Sequence, residues 1–462
     1  MEGFFYEKNM KIPKITIAKK PQYVKIAEDV DFFELFKKIQ KDQDICFILE
    51  SFEEESNRSR YSIIGFDPEA IVRSKGSGIT LSQQGKTDVL YESENPYFDL
   101  QKLLPDRVMA RDYAGGLVGY LGFDLFENIE PSVNVKSHPD FDRMKFGIYT
   151  DGLVYDKMTR EVFYFYYKKN RLRLVKSYLT KQNEVTAAVS VTFKGYSMTK
   201  QQYRTVFNRV KNDIRSGLIF QCVVGFQGEY LIEGNEIGIY EKLRRVNPSP
   251  HMYYVKFGNQ KIIGASPELL FRLRNNVVET FPLAGTIRRG KSLRKDFQLA
   301  QTLLNDSKEQ AEHKMLVDLH RNDLGRISKI GSVQIQKLMD IKKYSHVQHI
   351  SSEISGTLDA HQDMFSALVS CYPAGTLTGA PKIEAVKLLE KYETKPRGVY
   401  GGAVGHFGFN GDCTFAIPIR TFFIAGNKGY TQAGSGIVLD SEVHKEYEEI
   451  MSKLKAMEVA LS

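Results

Sequence analysis

Hairpin turns between strand-like segments constrain the fold of this 462-residue chain more than any other feature. Strand pairs are predicted around Gly258-Asn259, Asn275-Asn276 and Asn410-Gly411, and the last carries the strongest short hairpin signal. Each hairpin joins its two strands in antiparallel order. Helical segments interrupt these pairs irregularly, without an alternation of single strands and helices. The sequence therefore predicts an α+β fold built on antiparallel sheets.

Apolar residues at three- and four-residue spacing predict the helices. The clearest pattern runs from Thr199 to Ser216 and ends before a glycine. Two further patterns overlap, one from Asp296 to Val317 and one from Ser307 to Leu324. A last helix is predicted from Ser441 to Leu461, with the Ser441 side chain as its N-cap.

The residue composition and the hydrophobic pattern of the sequence change near Met198. Between Ile45 and Tyr178, most segments are rich in β-branched and aromatic residues, as strands are. Beyond Met198, helical patterns and glycine-rich runs become frequent. We therefore expect a β-rich N-terminal region over residues 1–195 and a region that carries the chemistry over residues 196–462.

Composition and charge exclude several classes of protein. Hydrophobic residues make up 42% and charged residues 26%, as in chains with a large core. No apolar run approaches the roughly 18 residues of a membrane span, and the N-terminus lacks a secretory signal, so we expect a cytoplasmic protein without a membrane anchor. The net charge of +8 is spread along the chain, which does not indicate nucleic acid. Four cysteines have no zinc-like or disulfide-like spacing and are expected to be reduced: Cys46, Cys222, Cys371 and Cys413.

Acidic residues on two predicted helices could form a metal site. Glu446 and Glu449 lie three residues apart on one flank of the last helix. By themselves, two such glutamates are more often part of a solvated face. Glu312 lies on the separate helix that begins at Ser307, and carboxylates from two helices could share a Mg²⁺ ion, which prefers oxygen ligands.

Glycine-rich segments accompany these helices. The run AGSGIVLDS precedes the last helix, where backbone N–H groups could hold an anion, although a simple connection from strand to helix would look the same. Glycines are also dense from Arg397 to Thr421, which suggests a backbone that approaches a ligand closely. Within that segment, Arg420 could pair with a carboxylate. Together these features describe one site with a divalent cation, donors for a carboxylate and an acidic catalyst.

Several segments in a fixed order resemble those of the chorismate-utilising enzymes, and among them the synthase subunits that make anthranilate. The resemblance extends from about Phe47 to Lys455 and is dense after Met198. The matching segments are SPE at Ser266 to Glu268, PLAGT at Pro282 to Thr286, AEHKMLVDLHRNDLGR, HVQHIS, PAGTLTGAPK, YGGAVG, AIPIRT, and AGSGIV followed by EYEE. The resemblance implies antiparallel sheets packed as a β-sandwich with helices outside, and a chorismate-binding catalytic region over residues 196–462.

The resemblance also implies roles for individual residues. Glu268 matches the general acid that protonates the departing ring hydroxyl of chorismate, and His349 matches a histidine associated with the later loss of pyruvate. The residues that match Mg²⁺ ligands are Glu312, Glu446 and Glu449. The residues that match the substrate pocket are Gly285, Thr286, Thr376, Tyr400, Arg420, Gly434 and Gly436.

Two positions distinguish the reactions of the family. Members that add water carry a lysine base where this chain has Gln221, and members that make aminodeoxychorismate usually carry a lysine where it has Ala284. Ammonia is already nucleophilic and needs no such base. The resemblance therefore implies that ammonia adds to chorismate, and that anthranilate and pyruvate are the products. Aminodeoxychorismate synthesis stays open as an alternative, because enzymes of that type without the lysine exist.

Ammonia would come from solution or from a separate glutamine amidotransferase subunit. The chain has no cysteine on a glycine-flanked elbow with a later histidine and glutamate, which is the pattern of a glutaminase. An alternative of another class is a sensor of tryptophan or chorismate that has lost catalysis. The joint presence of the matching acid, histidine, arginine and metal ligands speaks against such a sensor.

Two segments resemble the tryptophan-binding elements of the family. They are ILES, at Ile48 to Ser51, and NPSPHM, at Asn247 to Met252, with His251 in place of the usual tyrosine. By themselves, these segments indicate only a buried strand and a turn after a helix. With the resemblance they predict feedback inhibition by tryptophan. The residues that would contact the inhibitor are Ser51, Asn247, Pro248 and Met252.

The chain departs from the family pattern in the run from Cys222 to Gly228. Gly225 and Gln227 stand where a serine and a basic residue are usual. Contacts to substrate or partner in this run are therefore expected to differ from those of the family.

Overall fold

Two β-sheets form the framework of the protein. A computed structural model describes the chain at residues 5–6, 11–52, 60–83, 86–110, 112–182, 188–344 and 347–461. Within these residues, one sheet has thirteen strands and the other has twelve. Helices lie between the strands in no regular alternation. The predicted α+β class is confirmed.

Most strands are short, and the chain passes several times from one sheet to the other. In the described residues they are β1 (Phe5–Tyr6), β2 (Gln22–Glu28), β3 (Ile45–Glu50), β4 (Tyr61–Phe66), β5 (Ala70–Ser74), β6 (Ile79–Ser82), β7 (Val89–Tyr91), β8 (Gly116–Leu121), β9 (Met144–Tyr149), β10 (Asp151–Asp156), β11 (Glu161–Tyr166), β12 (Val189–Tyr196), β13 (Gln221–Gly234), β14 (His251–Phe257), β15 (Gln260–Ser266), β16 (Leu269–Arg274), β17 (Val277–Thr280), β18 (Leu283–Arg288), β19 (Gln334–Lys343), β20 (Val347–Thr357), β21 (Gly379–Ala380), β22 (Ala403–Gly408), β23 (Cys413–Ala416), β24 (Thr421–Ala425) and β25 (Lys428–Ile437).

The helices in the described residues are α1 (Phe32–Asp42), α2 (Pro96–Leu103), α3 (Phe126–Ile129), α4 (Leu172–Thr180), α5 (Lys200–Arg215), α6 (Ile237–Val246), α7 (Leu293–Leu304), α8 (Ser307–Gly325), α9 (Met364–Cys371), α10 (Lys382–Tyr392) and α11 (Val443–Glu458), with 3₁₀ helices at Phe123–Leu125 and Gly375–Leu377. The four longest of the described helices, α5, α7, α8 and α11, lie after residue 198.

The order of strands in each sheet mixes early and late parts of the chain. The larger sheet runs β1-β7-β6-β5-β9-β8-β22-β23-β16-β17-β20-β18, with β19 also paired to β20. The smaller runs β12-β13-β25-β24-β15-β14-β3-β4-β10-β11-β2, with β21 also paired to β13. The pairs are antiparallel except for β1 with β7. Each sheet contains strands from both sides of residue 195, since β8 pairs with β22 and β3 with β14.

The three predicted hairpins are confirmed. β14 and β15 are joined at Gly258, which has φ +60°, and β22 and β23 are joined through Gly411, which has φ +82°. Between β16 and β17, Asn275 and Asn276 have φ values of 51° and 64°. Asparagine tolerates this left-handed region better than most residues, so the turn signal had a local physical basis.

The helix predictions are confirmed in part. α5 matches the predicted span, and Thr199 and Gln202 form a capping box at its start. α8 confirms the helix predicted from Ser307 to Leu324. The helix predicted from Asp296 to Val317 is wrong, because α7 ends at Leu304 and the Asp306 side chain caps α8. Ser441 is not the N-cap of the last helix, which begins at Val443 after Glu442.

The hydrophobic core connects the sheets to each other and to the helices outside them. Phe47 of the smaller sheet packs edge-on against Tyr149 of the larger one, with ring centroids 4.8 Å apart. On the outer side of the smaller sheet, Phe36 of α1 packs against Tyr254 at 5.5 Å. The cysteines are buried and free, as predicted. No helix in the described residues is long and apolar enough to cross a membrane.

A buried ion pair links β13 to the turns that follow α10. Arg397 Nη2 lies 2.7 Å from Glu393 Oε1, and the two side chains are 1% and 5% exposed. Arg397 also donates to the carbonyl oxygens of Leu377 at 2.7 Å and Val223 at 2.8 Å. Glu393 accepts from the backbone N–H of Gly225 at 2.9 Å. The ion pair therefore joins β13, the Gly375–Leu377 turn and the end of α10.

The unusual run from Cys222 to Gly228 lies inside this network. A side chain at position 225 would meet the carbonyl oxygen of Ala433 at 2.3 Å, which explains the glycine. Gln227 donates to the carbonyl oxygen of Pro396 at 3.0 Å and to Gln432 at 3.2 Å. The two residues that depart from the family pattern, Gly225 and Gln227, thus make contacts within the chain.

Candidate active site

Glu268 lies between β15 and β16 and is buried, with 5% of its surface exposed. The hydroxyl of Ser266 donates to the carbonyl oxygen of Ile417 at 2.7 Å and holds this connection in place. The hydroxyl of Thr376 donates to Glu268 Oε1 at 2.8 Å. Two of the predicted residues, Glu268 and Thr376, are therefore in direct contact although they are far apart in the sequence.

Burial raises the pKa of Glu268 to about 7, because a carboxylate is poorly solvated there. The hydrogen bond from Thr376 and the positive charges of Lys453 and Arg420 act in the opposite direction. The carboxyl group thus exchanges its proton near neutral pH, which is the property that a general acid needs.

Arg420 lies in the loop before β24, at a backbone φ of 50°. Its own carbonyl oxygen accepts from the N–H of Ala265 at 3.1 Å, which ties the loop to β15. Burial lowers the pKa of its guanidinium, with Tyr344 and Glu268 among the groups within electrostatic reach. A guanidinium that has lost most of its water favours an anionic ligand.

His349 is a buried, neutral base on β20. Its Nδ1 atom lies 2.8 Å from the carbonyl oxygen of Gly285, which can only accept, so Nδ1 carries the proton. Burial lowers the pKa of the imidazole to about 4, and Arg420 and Lys453 lower it further. Its Nε2 atom is buried and has no hydrogen-bond partner among the described residues. This nitrogen is therefore free to accept a proton from a ligand.

A β-bulge in β18 places Gly285 and Thr286 next to His349. The pairing of β18 with β20 shifts register between Ala284 and Ile287, and Gly285 has φ +63°. The Thr286 hydroxyl lies 3.2 Å from His349 Nδ1. A Cβ atom at position 285 would lie 2.9 Å from Glu309 Oε2, so glycine suits this position in both conformation and space.

Carboxylates from two helices meet on another side of the site. The pKa of Glu312 on α8 is raised to about 7, first by burial and then by the negative charges of Glu309, Glu446 and Glu449. The nearby Lys308 partly offsets this shift. The pKa of Glu446 on α11 is likewise raised, again mainly by burial. The structure thus brings together the helices that the sequence analysis proposed as partners in a metal site.

The donor chemistry of this carboxylate cluster fits a hard divalent cation. In the described part of the chain, no three acidic, imidazole or thiol groups stand close enough to enclose a metal ion unaided. Mg²⁺ commonly takes only one or two carboxylates from a protein and completes its shell with waters and substrate oxygens. A cation there would relieve the repulsion that raises the pKa of Glu312. Glu449 is half exposed and pairs with Lys453 at 2.7 Å, so it is the least committed of the three predicted ligands.

Glycines on β25 leave room for two polar side chains. The carbonyl oxygen of Gly434 accepts from Lys453 Nζ at 2.9 Å. At Gly436, a Cβ atom would lie 2.6 Å from Nε2 of Gln221, the first residue of β13. The side chain predicted to influence the choice of nucleophile therefore lies against a strand that carries two predicted substrate-binding positions.

Tyr400 is buried in the turn held by Arg397. Its backbone N–H donates to the carbonyl oxygen of Arg397 at 3.1 Å, and the guanidinium lies 5.5 Å from its ring centroid. Burial raises the pKa of its hydroxyl, and Glu268 is among the charges that act on it. Tyr400 thus belongs to the same electrostatic surroundings as Glu268.

Two residues of the site were not predicted, Lys453 and Glu309. Lys453 acts electrostatically on both Glu268 and His349, and Glu309 acts on Glu312. The spacing of charged residues along each predicted helix could have indicated both residues. Lys453 follows Glu449 by four residues, and Glu309 precedes Glu312 by three, which places each pair on one helix face.

A cavity of about 200 Å³ has Ser51 and Met252 in its lining, together with Pro267 and Leu269 on either side of Glu268. The Tyr113 hydroxyl and His406 Nδ1, on residues that also line it, are buried without a hydrogen-bond partner among the described residues. Asn247 and Pro248 lie just before the lining residue Pro250, at the end of α6. The structure therefore brings together Ser51 and Met252 of the predicted inhibitor-binding residues.

Comparison with known proteins agrees with this architecture. The sequence pattern of the chorismate binding enzyme family matches residues 44–459. The anthranilate synthase component 1 of Leptospira biflexa is 47% identical over 457 residues, which cover 97% of this chain and 98% of that protein. Among solved structures, anthranilate synthase component I from Streptococcus pneumoniae matches with a TM-score of 0.78 at 32% identity, over 88% of this chain and 93% of that one.

The fold is shared more widely than the sequence. The menaquinone-specific isochorismate synthase of Escherichia coli matches with a TM-score of 0.75 at 17% identity, over 96% of this chain and 94% of that one. At this identity the likeness concerns the fold alone. The chain belongs to the family of chorismate binding enzymes. Within that family it groups with the anthranilate synthase component 1 proteins, as its motifs predicted.

Removal of the Thr376 hydroxyl is expected to raise the pKa of Glu268 above 7. The hydroxyl stabilises the carboxylate form, so its loss in Thr376→Val favours the protonated acid and moves the titration to higher pH. The pH dependence of carboxyl infrared bands would show the shift, with Glu268→Gln to identify the band. Thr376→Ser, which keeps a hydroxyl, should titrate as the parent does. An unchanged titration in Thr376→Val would contradict the assigned hydrogen bond.

Proposed function

We propose that the chain is the catalytic subunit of an anthranilate synthase, which converts chorismate and ammonia to anthranilate and pyruvate. One observation carries this proposal. A buried acid with a pKa of about 7, Glu268, lies within reach of the cations Arg420 and Lys453. Chorismate offers a leaving hydroxyl for the acid and carboxylates for the cations.

Two proton transfers of the reaction need a group of the protein, an acid for the leaving hydroxyl and a base for the ring proton, and the site offers both. The ammonium group formed at carbon 2 also releases one proton, and the departing enolpyruvate takes one up to become pyruvate. In the first step, ammonia adds at ring carbon 2 of chorismate while the hydroxyl at carbon 4 leaves as water, with a proton from Glu268. The product of this step is an aminodeoxyisochorismate. In the second step, pyruvate leaves and the ring becomes aromatic, and the free Nε2 of His349 is suited to receive the ring proton. Arg420 would hold the enolpyruvyl carboxylate and stabilise its charge.

We further propose that Glu312, Glu446 and Glu449 hold a Mg²⁺ ion that binds the ring carboxylate of chorismate. The support is the electrostatic coupling of α8 to α11: burial raises the pKa of Glu312 most, and the negative charges of Glu446 and Glu449 raise it as well. When bound, Mg²⁺ would supply positive charge to a substrate that is itself an anion. Arg420, Lys453 and the cation would then share the carboxylates of one molecule.

The identity of Gln221 and Ala284 supports ammonia as the nucleophile and anthranilate as the product. An amide at position 221 cannot serve as the base that would activate water, and an alanine at position 284 cannot form a covalent bond to the ring. Since an isochorismate synthase shares the fold, the fold itself does not select the nucleophile. Aminodeoxychorismate formation is the alternative, and a sensor without catalysis is the alternative of another class.

Ammonia is proposed to come from a glutamine amidotransferase subunit in the cytoplasm. The support is the chain's lack of a glutaminase motif, together with the name of its relatives, component 1, which implies a further component. Free ammonia at high concentration should replace that subunit, because the synthase site itself binds the nucleophile.

The cavity that includes Ser51 and Met252 is proposed to bind tryptophan as a feedback inhibitor. It lies where β3 meets β14, and its lining is largely apolar, as an indole ring requires. Among the described residues, the Tyr113 hydroxyl and His406 Nδ1 have no hydrogen-bond partner, so they are available to polar groups of such a ligand. Because its walls come from both sheets, a ligand there could restrain their relative movement.

Incubation of the purified chain with chorismate, Mg²⁺ and ammonium is expected to yield anthranilate and an equal amount of pyruvate. Chromatography of the products would identify them. Aminodeoxychorismate or isochorismate would contradict the assignment of the nucleophile or its ring position. An absence of turnover, with chorismate or tryptophan still bound, would favour the sensor.

Glu446→Gln is expected to raise the Mg²⁺ concentration for half-maximal turnover by about 10–100-fold or to abolish turnover, because one charged ligand is lost. The substitution keeps the shape of the side chain, so the melting temperature should change little. Glu448→Gln is the matched control, since Glu448 lies on the same helix but is exposed. Equal Mg²⁺ dependence in both variants would remove Glu446 from the metal site.

Met252→Ala is expected to weaken inhibition by tryptophan roughly tenfold or more. A buried methionine side chain contributes about 1.5–3 kcal/mol through its contacts, and each 1.4 kcal/mol is a factor of ten in affinity. The inhibition constant would be compared with that of Met158→Ala, whose side chain is 60% exposed and lies outside the cavity. Equal inhibition of the two variants would place the regulatory site elsewhere.

A further inference from the structure

Lys211 is a buried lysine that donates to backbone carbonyl oxygens instead of carboxylates. It lies on α5 and is 8% exposed. Its ammonium group donates to the carbonyl oxygen of Ser441 at 3.0 Å, to that of Val438 at 3.3 Å and to that of Leu439. The three donors of the ammonium thus meet three oxygens of one loop, Val438 to Ser441.

Burial of the Lys211 ammonium group is unfavourable in free energy, which indicates that its hydrogen bonds have a specific structural role. A charged group that leaves water loses several kcal/mol of solvation, and three neutral carbonyls repay less of that loss than a carboxylate would. A neutral side chain could not offer three donors to one point. Without the ammonium, the loop would lose three hydrogen bonds, and within the described residues only the carbonyl oxygen of Val438 would keep its bond from the N–H of Ser441, at 3.1 Å.

The loop held by Lys211 joins two elements of the proposed active site. It follows β25, which carries Gly434 and Gly436, and it precedes α11, which carries Glu446. Within the loop, the Ser441 hydroxyl accepts from the N–H of Val438 at 3.1 Å. Ser441 is also within hydrogen-bond reach of the Glu446 side chain.

The start of α11 has no side-chain cap of its own. Its N-cap residue, Glu442, makes no capping hydrogen bond to the first turn. Glu446 lies in this first turn, and its position therefore depends on the loop before the helix. Lys211 is the side chain that ties this loop to α5.

We propose that Lys211 is a positioning residue, which holds the Val438–Ser441 loop so that Glu446 can share a divalent cation with Glu312. The inference rests on the proposed Mg²⁺ site. It assigns to α5 a role in metal affinity, although α5 contributes no ligand to the cluster. The charge of Lys211 is suited to this role because one ammonium can orient several carbonyls at once.

Replacement of Lys211 by methionine tests the proposal. Lys211→Met keeps the apolar stem of the side chain but removes all three donors. The Mg²⁺ concentration for half-maximal turnover is expected to rise about 10–100-fold, as when a group that orients a metal ligand is removed. Independently of activity and of the metal, hydrogen exchange of the backbone amides of residues 438–446 is expected to accelerate roughly tenfold or more.

Lys256→Met is the matched control. Lys256 donates to the carbonyl oxygens of Gln40 and Gln43, both at 2.9 Å, at the opposite end of β14 from the cavity and away from the carboxylate cluster. Its loss should affect the melting temperature but neither the Mg²⁺ dependence nor exchange in residues 438–446. If Lys211→Met yields no folded protein, Lys211→Gln is measured in the same way.

Three results would separate the possibilities. Equal Mg²⁺ dependence in Lys211→Met and Lys256→Met would overturn the proposal, even if exchange in the loop increased. Faster exchange together with a higher Mg²⁺ concentration for half-maximal turnover, in Lys211→Met alone, would support it. Unchanged Mg²⁺ dependence in Glu446→Gln would instead overturn the metal site on which it rests.

Discussion

The ion pair between Glu393 and Arg397 is the contact on which the arrangement of the site depends. Arg397 donates to Leu377 and to Val223, so it fixes the turn that carries Thr376 and the strand that begins at Gln221. Breaking such a buried pair costs about 3–5 kcal/mol, because the remaining charge has no water. Since Thr376 orients Glu268, the position of the acid depends on this buried ion pair.

The site holds charges of both signs, and Lys453 pairs with Glu449 of the same helix at 2.7 Å. Arg420 and Lys453 provide positive charge near Glu268 and His349, whereas α8 and the first turn of α11 provide carboxylates. In a buried site these charges interact more strongly than in water. This set of charges suits a substrate with two carboxylates, because the cations can bind one of them and the proposed Mg²⁺ ion would bind the other.

The elements that the sequence predicted well are those with a local cause. The hairpins at Asn275-Asn276 and Gly411 follow from residues that accept a positive φ, and α5 follows from its apolar spacing and capping box. Helix ends were less predictable. Asp306 separates two helices where the predicted patterns overlapped, and Ser441 does not cap α11 because its hydroxyl accepts from the N–H of Val438 inside the loop.

By itself, the sequence determined the class of the fold, the family and the chemical character of the site, because turns, helix faces and ordered motifs are properties of neighbouring residues. Only the tertiary structure decided which of those residues meet. It joined Glu268 to Thr376, left His349 Nε2 without a partner in the described residues, and added Lys453 and Lys211. Such contacts, and the shifts in pKa that burial causes, arise between segments far apart in the chain, where spacing along the sequence carries no information.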